Sequence, residues 1–235
     1  MGREFAIRKE VALEATPEQV WEAIATGPGL ATWFMAMELD PADGTVTTWE
    51  PGRHLAVRVP PAPDGSAQAF DYVIETRDGG GTVLRFVHSG VLGDGWGDGF
   101  ESATAQGWDM YLHTLAEYFR HFPGRAATYI EVEAPPSSSA ESGWPVLLRA
   151  VGLTGEATEG DPVRLDLDGL EPLDGVVDYA TPSFLGVRTA DGLYRFHGRA
   201  ALGMAIAVGH HLYRDDVDRE QAERGWQSWL DRVFT

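Results

Sequence analysis

The chain has 235 residues, of which 43% are hydrophobic and 11% aromatic, enough for a sizeable core in one large domain or two small ones. Its 36 acidic residues outnumber its 18 basic ones, and the formal net charge of -18 argues against binding nucleic acid or an anionic membrane surface. Cysteine is absent from the sequence, so disulfides, thiolate nucleophiles and cysteine metal sites are excluded.

The amino-terminal residues predict a strand followed by a capped helix. Apolar side chains fall mostly at alternate positions over residues 5–13, as in a strand with one buried face. Thr16 and Gln19 have the spacing of a capping box, which marks the start of a helix. Residues 27–29 (GPG) are expected to end this helix, and residues 30–37 to form a second short one.

An antiparallel meander is predicted for most of residues 46–88. Turn-forming residues at 60–66 and 78–81 separate its strand-like runs. Apolar side chains then recur every three or four positions over residues 101–122, which predicts a long amphipathic helix. The first half therefore has the order strand, two helices, meander, long helix.

A domain boundary is expected at residues 123–125 (PGR). It divides the chain into a domain over residues 1–124 and a second domain over residues 125–235. Proline and serine at residues 135–139 indicate a flexible segment shortly after the boundary.

The second domain appears in the sequence as a degenerate repeat of the first. Residues 107–112 (GWDMYL) match residues 225–230 (GWQSWL), and a strand containing histidine precedes each motif. The alternative is chance similarity between two amphipathic helices that both carry tryptophan. The corresponding segments are a strand at 128–132, a helix at 144–151, strands within 163–209 and a helix at 220–234.

Motifs in the first 122 residues resemble one superfamily in their order and spacing. They are residues 15–24 (ATPEQVWEAI), residues 33–34 (WF), residues 82–90 (TVLRFVHSG) and residues 107–108 (GW). Together they resemble the SRPBCC helix-grip superfamily, in its branch related to the activator of heat-shock protein ninety ATPase. The resemblance implies an α+β fold in which a curved antiparallel sheet wraps around a long carboxy-terminal helix, and the internal repeat predicts two such domains in tandem.

The resemblance also implies a ligand cavity between the sheet and the long helix. Strand alternation places Phe86 and His88 on one face and Arg85 on the other. Because a charged arginine is better tolerated facing water than inside a core, Phe86 and His88 should face inward. Core packing is the ordinary explanation for each aromatic residue taken alone. The candidate lining consists of Trp33, Phe34, Trp49, Phe70, Tyr72, Phe86, His88, Trp108, Tyr111 and Leu112.

His88 is a weak candidate for catalysis, because the sequence has no recognisable catalytic motif. An imidazole on an apolar face can orient a carbonyl group or act as an acid or base near neutral pH. A buried histidine with hydrogen bonds inside the core is the favoured alternative. No cofactor is implied.

A metal site at His210 and His211 is not predicted, although three aspartates follow at positions 215, 216 and 218. Both residue types are metal ligands, but adjacent residues on a strand point to opposite faces and are badly placed to share one ion.

Three functions fit these features. The first is binding of a hydrophobic or aromatic small molecule in the cavity. The second, suggested by relatives in the superfamily, is a polyketide cyclase or aromatase-like enzyme that would use His88, Tyr72, Tyr111 and, as a further candidate, Arg53. The third is interaction with a chaperone, by analogy with the namesake branch. A monomer and a dimer are both compatible with the sequence.

Two further expectations concern a loop and the cellular location. The glycine-rich residues 90–99 are hypothesised to form a lid with Trp96 at its tip, or else a loop without a role. The amino terminus does not open an apolar signal sequence, and the longest apolar runs are too short to span a membrane. We therefore expect a soluble, cytoplasmic protein.

Overall fold

A computed structural model describes most of the chain and divides it into two compact units, Met1–Ala126 and Ala127–Thr235. Each unit contains one antiparallel sheet and one long carboxy-terminal helix. The described residues are 2–77, 81–93, 97, 99–153, 155 and 157–235.

The first unit has a five-stranded sheet in the order β1-β5-β4-β3-β2. The last strand, β5, returns to pair with β1, and the long helix α3 packs against β1. The elements are β1 (Arg3–Leu13), α1 (Pro17–Ala25), α2 (Gly27–Leu30), β2 (Val46–Glu50), β3 (His54–Val59), β4 (Ala67–Thr76), β5 (Thr82–Leu92) and α3 (Phe100–His121).

The predicted capping box of α1 is confirmed. The Thr16 hydroxyl accepts a hydrogen bond from the Gln19 amide nitrogen at 3.3 Å, and the Thr16 amide donates to Gln19 Oε1 at 2.8 Å. These two bonds satisfy backbone donors that have no partner inside the helix.

The prediction for the second helix was wrong. Residues 27–29 do not end the helical region but belong to α2, and residues 31–37 form turns and irregular chain. The Thr26 hydroxyl accepts from the Gly29 amide at 3.0 Å and caps α2. Pro28 lies in the first turn, where its missing N–H group costs no hydrogen bond.

The second unit has a six-stranded sheet in the order β6-β11-β10-β9-β8-β7. As in the first unit, the last strand pairs with the first and the long helix follows. The elements are β6 (Thr128–Glu133), α4 (Gly143–Ala150), β7 (Pro162–Leu165), β8 (Leu173–Ala180), β9 (Phe184–Arg188), β10 (Gly192–His197), β11 (Ala207–Leu212) and α5 (Arg219–Val233).

The fold is therefore α+β with two helix-grip units in tandem, as the sequence predicts. Both units share the order strand, helix, meander, long helix, and the second has one strand more in its sheet. No helix among the described residues is long and apolar enough to cross a bilayer.

The segment expected to be flexible after the boundary has regular structure instead. Residues Pro136–Ser139 form a short 3₁₀ helix, and Ser138 is buried. The Ser138 hydroxyl accepts a hydrogen bond from the Ile206 amide at 3.0 Å and donates one to the Pro135 carbonyl at 2.7 Å. The Ser138 hydroxyl therefore forms hydrogen bonds with two backbone groups, an arrangement that composition alone does not predict.

Two expectations fall wholly or partly outside the described residues. They concern the turn at residues 78–81, of which 78–80 are outside the described residues, and the tip of the hypothesised lid, Trp96. Strand β5 continues to Leu92, so the first residues of the glycine-rich stretch are part of the sheet rather than of a loop.

Candidate functional site

The inner face of the first sheet carries the apolar side chains of β5. Phe86 and His88 are buried there, while Arg85 is exposed on the opposite face. Arg85 forms ion pairs on that outer face with Glu10 at 3.0 Å and Glu75 at 2.7 Å. The inward and outward faces of β5 are those that alternation predicts.

Trp108 of α3 lies at the centre of a group of rings, which we call the Trp108 cluster. Its ring centroid is 4.2 Å from that of Phe86 and 6.0 Å from that of Phe70. Phe34 stacks on it at 5.3 Å, and Tyr111 lies 5.8 Å away. The cluster thus joins the sheet, the helix and the chain that follows α2.

His88 belongs to the same cluster and is fixed by two side chains. Trp108 Nε1 donates to His88 Nδ1 at 3.0 Å, and His88 Nε2 lies 3.1 Å from Gln68 Oε1. Because the indole N–H can only donate, His88 Nδ1 must accept, and the proton of the neutral ring lies on Nε2 and is donated to Gln68. The aromatic ring of Phe70 stacks on the imidazole at 4.5 Å.

The charge state of His88 follows from its burial. Its side chain is 3% exposed, and burial lowers its pKa to about 4. The imidazole is therefore neutral at pH 7, with both nitrogens bonded to protein groups. This is the arrangement of a satisfied core histidine rather than of a free acid or base.

The other residues of the candidate lining lie around this cluster. Trp33 is fully buried and donates from Nε1 to the Ala23 carbonyl at 2.9 Å. Burial raises the pKa of the Tyr72 hydroxyl, and the Tyr72 ring lies 4.9 Å from Phe86. Leu112 is buried on α3.

Trp49 lies apart from the other rings of the candidate lining, on the edge strand β2. Its nearest ring partner among the described residues is Trp21 of α1, with centroids 5.0 Å apart. Trp49 pairs with Leu55 across the sheet and is partly exposed. It therefore belongs to the rim of the inner face.

Gln68 is a residue of the candidate site that the sequence does not predict. It holds His88 in one tautomer, and it precedes Phe70 by two positions on β4. Strand alternation extended by one more step would have placed Gln68 on the inner face with Phe70 and Tyr72.

Part of the inner face of the sheet is incompletely covered, and the side chains there form an apolar patch. Leu55 is fully buried on β3, whereas Val57 is partly exposed and Val59 is 44% exposed on the same face. Val57 pairs directly with Phe70, which is also partly exposed. We define the apolar patch as Val57, Val59, Phe70 and Phe34, all of which are incompletely covered.

Two exposed methionines directly follow the patch residue Phe34. Met35 is 37% exposed and Met37 is 44% exposed. Methionine side chains are flexible and adapt to different apolar partners. The chain next to the Trp108 cluster therefore presents adaptable apolar groups to solvent.

The second unit contains a similar contact between histidine and tryptophan. The ring centroids of His210 on β11 and Trp226 on α5 are 4.3 Å apart. His210 Nδ1 accepts from the Arg195 amide at 3.0 Å, while Nε2 has no hydrogen-bond partner among the described residues. Complete burial lowers the pKa of His210 well below its usual value.

His210 and His211 point to opposite faces of the second sheet, as strand alternation requires. His211 contacts the ring of Tyr129 at 5.0 Å, whereas His210 contacts Trp226. The two imidazoles are therefore not arranged to share an ion.

The fold and this interior define the class of the protein: a tandem helix-grip protein with an aromatic cluster around a neutral histidine. No family model and no curated protein matches the chain.

Several solved structures are similar to this chain, with low TM-scores. The Aha1 dimer of Colwellia psychrerythraea has 19% identity and a TM-score of 0.39, over 49% of this chain and 96% of the other. A Bacillus halodurans protein has 27% identity and a TM-score of 0.42, over 51% of this chain and 99% of its own. DynU16, from the dynemicin biosynthetic locus, has 17% identity and a TM-score of 0.39 over 97% of this chain and 96% of its own.

Proposed function

We propose that the first unit binds an uncharged hydrophobic or aromatic small molecule between its sheet and α3. The observation that carries the proposal is the apolar patch, where the inner face of the sheet is left incompletely covered beside the Trp108 cluster. Groups of exposed apolar side chains mark interaction and ligand sites in soluble proteins.

The chemistry of the cluster favours a ligand without charge. His88 is neutral, and its two hydrogen bonds are already made by Trp108 and Gln68. A charged group placed against these rings would lose its hydration without gaining a hydrogen-bond or ion-pair partner. An aromatic ligand, by contrast, can stack on Phe34 and Phe70 and gain about 0.5–1.5 kcal/mol for each ring pair in addition to the buried area.

The alternative of a polyketide cyclase or aromatase-like enzyme is less well supported. Such a reaction needs a group that moves a proton, and His88 was the candidate. Its bonds to Trp108 and Gln68 would have to break before Nδ1 or Nε2 could reach a substrate. Binding requires no such rearrangement of the histidine.

We also infer that the two units share an origin, as members of the superfamily that the first unit resembles. The support is their common strand order, the GW motif on each long helix, and the contact of that tryptophan with a histidine of the last strand. The second unit would then be the more divergent copy.

Binding of Nile red, an uncharged dye that fluoresces in apolar surroundings, tests the proposal. The Val57→Trp variant places a large ring on the apolar patch and should weaken dye binding by about tenfold or more. Val73→Trp is the matched control, because Val73 is a partly exposed valine of the neighbouring strand β4, on the outer face with Arg85. It should leave binding within about twofold of the wild type.

Equal effects of the two variants on dye affinity would contradict the proposal. Circular dichroism of both variants separates loss of binding from loss of fold.

A further inference from the structure

The second unit contains a cavity with a volume of about 500 Å³. It lies between the first turns of α5 and the inner face of the second sheet. Tyr194, Leu212 and Trp226 form part of its wall, together with Leu170 from the chain before β8. Its size suits a small organic molecule.

Tyr194 brings a polar group to the part of the wall that Leu170, Leu212 and Trp226 form. The side chain is 5% exposed, and no described residue forms a hydrogen bond with its hydroxyl. Burial, with a smaller contribution from the Asp191 and Glu171 carboxylates, raises the pKa of Tyr194 to about 12. The hydroxyl therefore stays protonated and can accept a hydrogen bond from a ligand N–H group.

Negative charge dominates the rim of the cavity. The lining contains three carboxylates and one cation. The carboxylates are Glu171, Asp216 and Asp218, and the cation is Arg214. Arg214 and Glu171 approach only to 3.7 Å and are both well exposed, so their attraction is weak. Asp218 also caps α5 by accepting from the Gln221 amide at 2.9 Å. The whole chain, with a net charge of -18, attracts cations as well.

We propose that this cavity binds a small aromatic or aliphatic primary amine in its protonated form. The apolar body would lie against Leu212 and Trp226, and the ammonium group would donate to the Tyr194 hydroxyl and the Glu171 carboxylate. A cation beside an indole ring gains further attraction from the ring electrons. The proposal is independent of ligand binding by the first unit.

Calorimetric titration of the full chain with two matched probes tests the proposal. Phenethylamine and hydrocinnamate share a phenyl ring on a two-carbon chain, but one ends in an ammonium and the other in a carboxylate. We expect the amine to bind at least about tenfold more tightly than the acid, and this preference to shrink in high salt. Equal affinity, tighter binding of the acid, or no binding of the amine at millimolar concentration would overturn the proposal.

Two variants locate the amine in this cavity. Ala222→Phe fills the cavity from α5 and should abolish binding, and Glu171→Gln removes one carboxylate and should weaken binding by about threefold to tenfold. The Glu171 side chain is 88% exposed, so this second variant does not threaten the fold. Val57→Trp in the first unit should leave amine binding unchanged. Unaltered amine affinity in both cavity variants would also overturn the proposal.

Discussion

The two units place a histidine of the last strand against a tryptophan of the long helix, but they bond it differently. In the first unit Trp108 donates to His88, and Gln68 pairs the second nitrogen. In the second unit Trp226 and His210 contact each other only through their rings, and His210 Nδ1 accepts from a backbone amide instead. The same frame therefore holds one fully paired imidazole and one whose Nε2 lacks a partner in the described chain.

The contrast continues at the glycine that precedes each tryptophan. A Cβ atom at Gly107 would meet nothing within 4 Å, whereas one at Gly225 would lie 2.9 Å from Leu170. The two helices thus share the GW motif but differ in what surrounds it. A shared element order does not transfer the chemistry of one site to the other, which is why we propose different ligands for the two units.

The largest expected effect is the acid sensitivity that His88 contributes. Its pKa is about 4 in the folded chain and about 6.5 when unfolded, so its share of stability is complete above pH 6.5 and is lost as the pH falls to 4. The loss by pH 4 should reach about 3 kcal/mol. Urea unfolding at several pH values measures the slope of the unfolding free energy against pH. This slope should be smaller in His88→Leu than in the wild type. An unchanged slope would contradict the buried, neutral state of His88.

Replacing each histidine by leucine at pH 7.5 compares the two pairs directly. His88→Leu removes two hydrogen bonds, those with the Trp108 N–H and with Gln68 Oε1, whereas His210→Leu removes one, from the Arg195 amide, because Nε2 already lacks a partner in the described chain. The first change should cost about 1–2 kcal/mol more than the second. Urea unfolding followed by circular dichroism measures both, and a larger cost for His210→Leu would reverse the comparison.

The two tryptophans should differ by a smaller amount. Trp108→Phe loses the hydrogen bond to His88 Nδ1 as well as ring volume, while the contact of Trp226 with His210 is between rings. We therefore expect Trp108→Phe to be more destabilising than Trp226→Phe by about 1 kcal/mol. Equal midpoints of thermal unfolding in the two variants would argue against the hydrogen bond.

The smallest expected effect lies outside the two pairs, at the start of α1. Thr16→Ala removes the hydroxyl that accepts from the Gln19 amide and should cost about 0.5–1 kcal/mol of stability. Thr16→Ser keeps the hydroxyl and serves as the control, with a change within about 0.5 kcal/mol. A destabilised serine variant would show that the methyl group, and not the cap, is what matters.

The elements that the sequence predicts well are those with a clear period. Alternation identifies β1 and the inward face of β5, and the repeat of three to four residues identifies α3 and α5. The period fails at residues 27–30, where glycine and proline suggest a helix end although Thr26 caps a further helix. A side-chain cap and a proline in the first turn can outweigh that signal.

The candidate site was less predictable than the fold, because its contacts depend on register. Alternation places Phe70 and His88 on one face, but only the pairing of β4 with β5 brings Gln68 within 3.1 Å of the imidazole. A single sequence also does not show how far apart two strands lie within a sheet. For this reason the predicted lining includes both Trp49 and Phe86, although Trp49 lies on the edge strand β2 and its ring contacts Trp21 of α1.

The indole N–H signals in a nitrogen-proton NMR spectrum test the central claim, that the two units offer different sites on a shared frame. Trp108→Phe and Trp226→Phe assign the two signals by their absence. Naphthalene should shift the Trp108 signal at lower concentration than the Trp226 signal, and phenethylamine should do the reverse. Both signals responding alike to both probes, or the opposite pairing of probe and signal, would contradict the account.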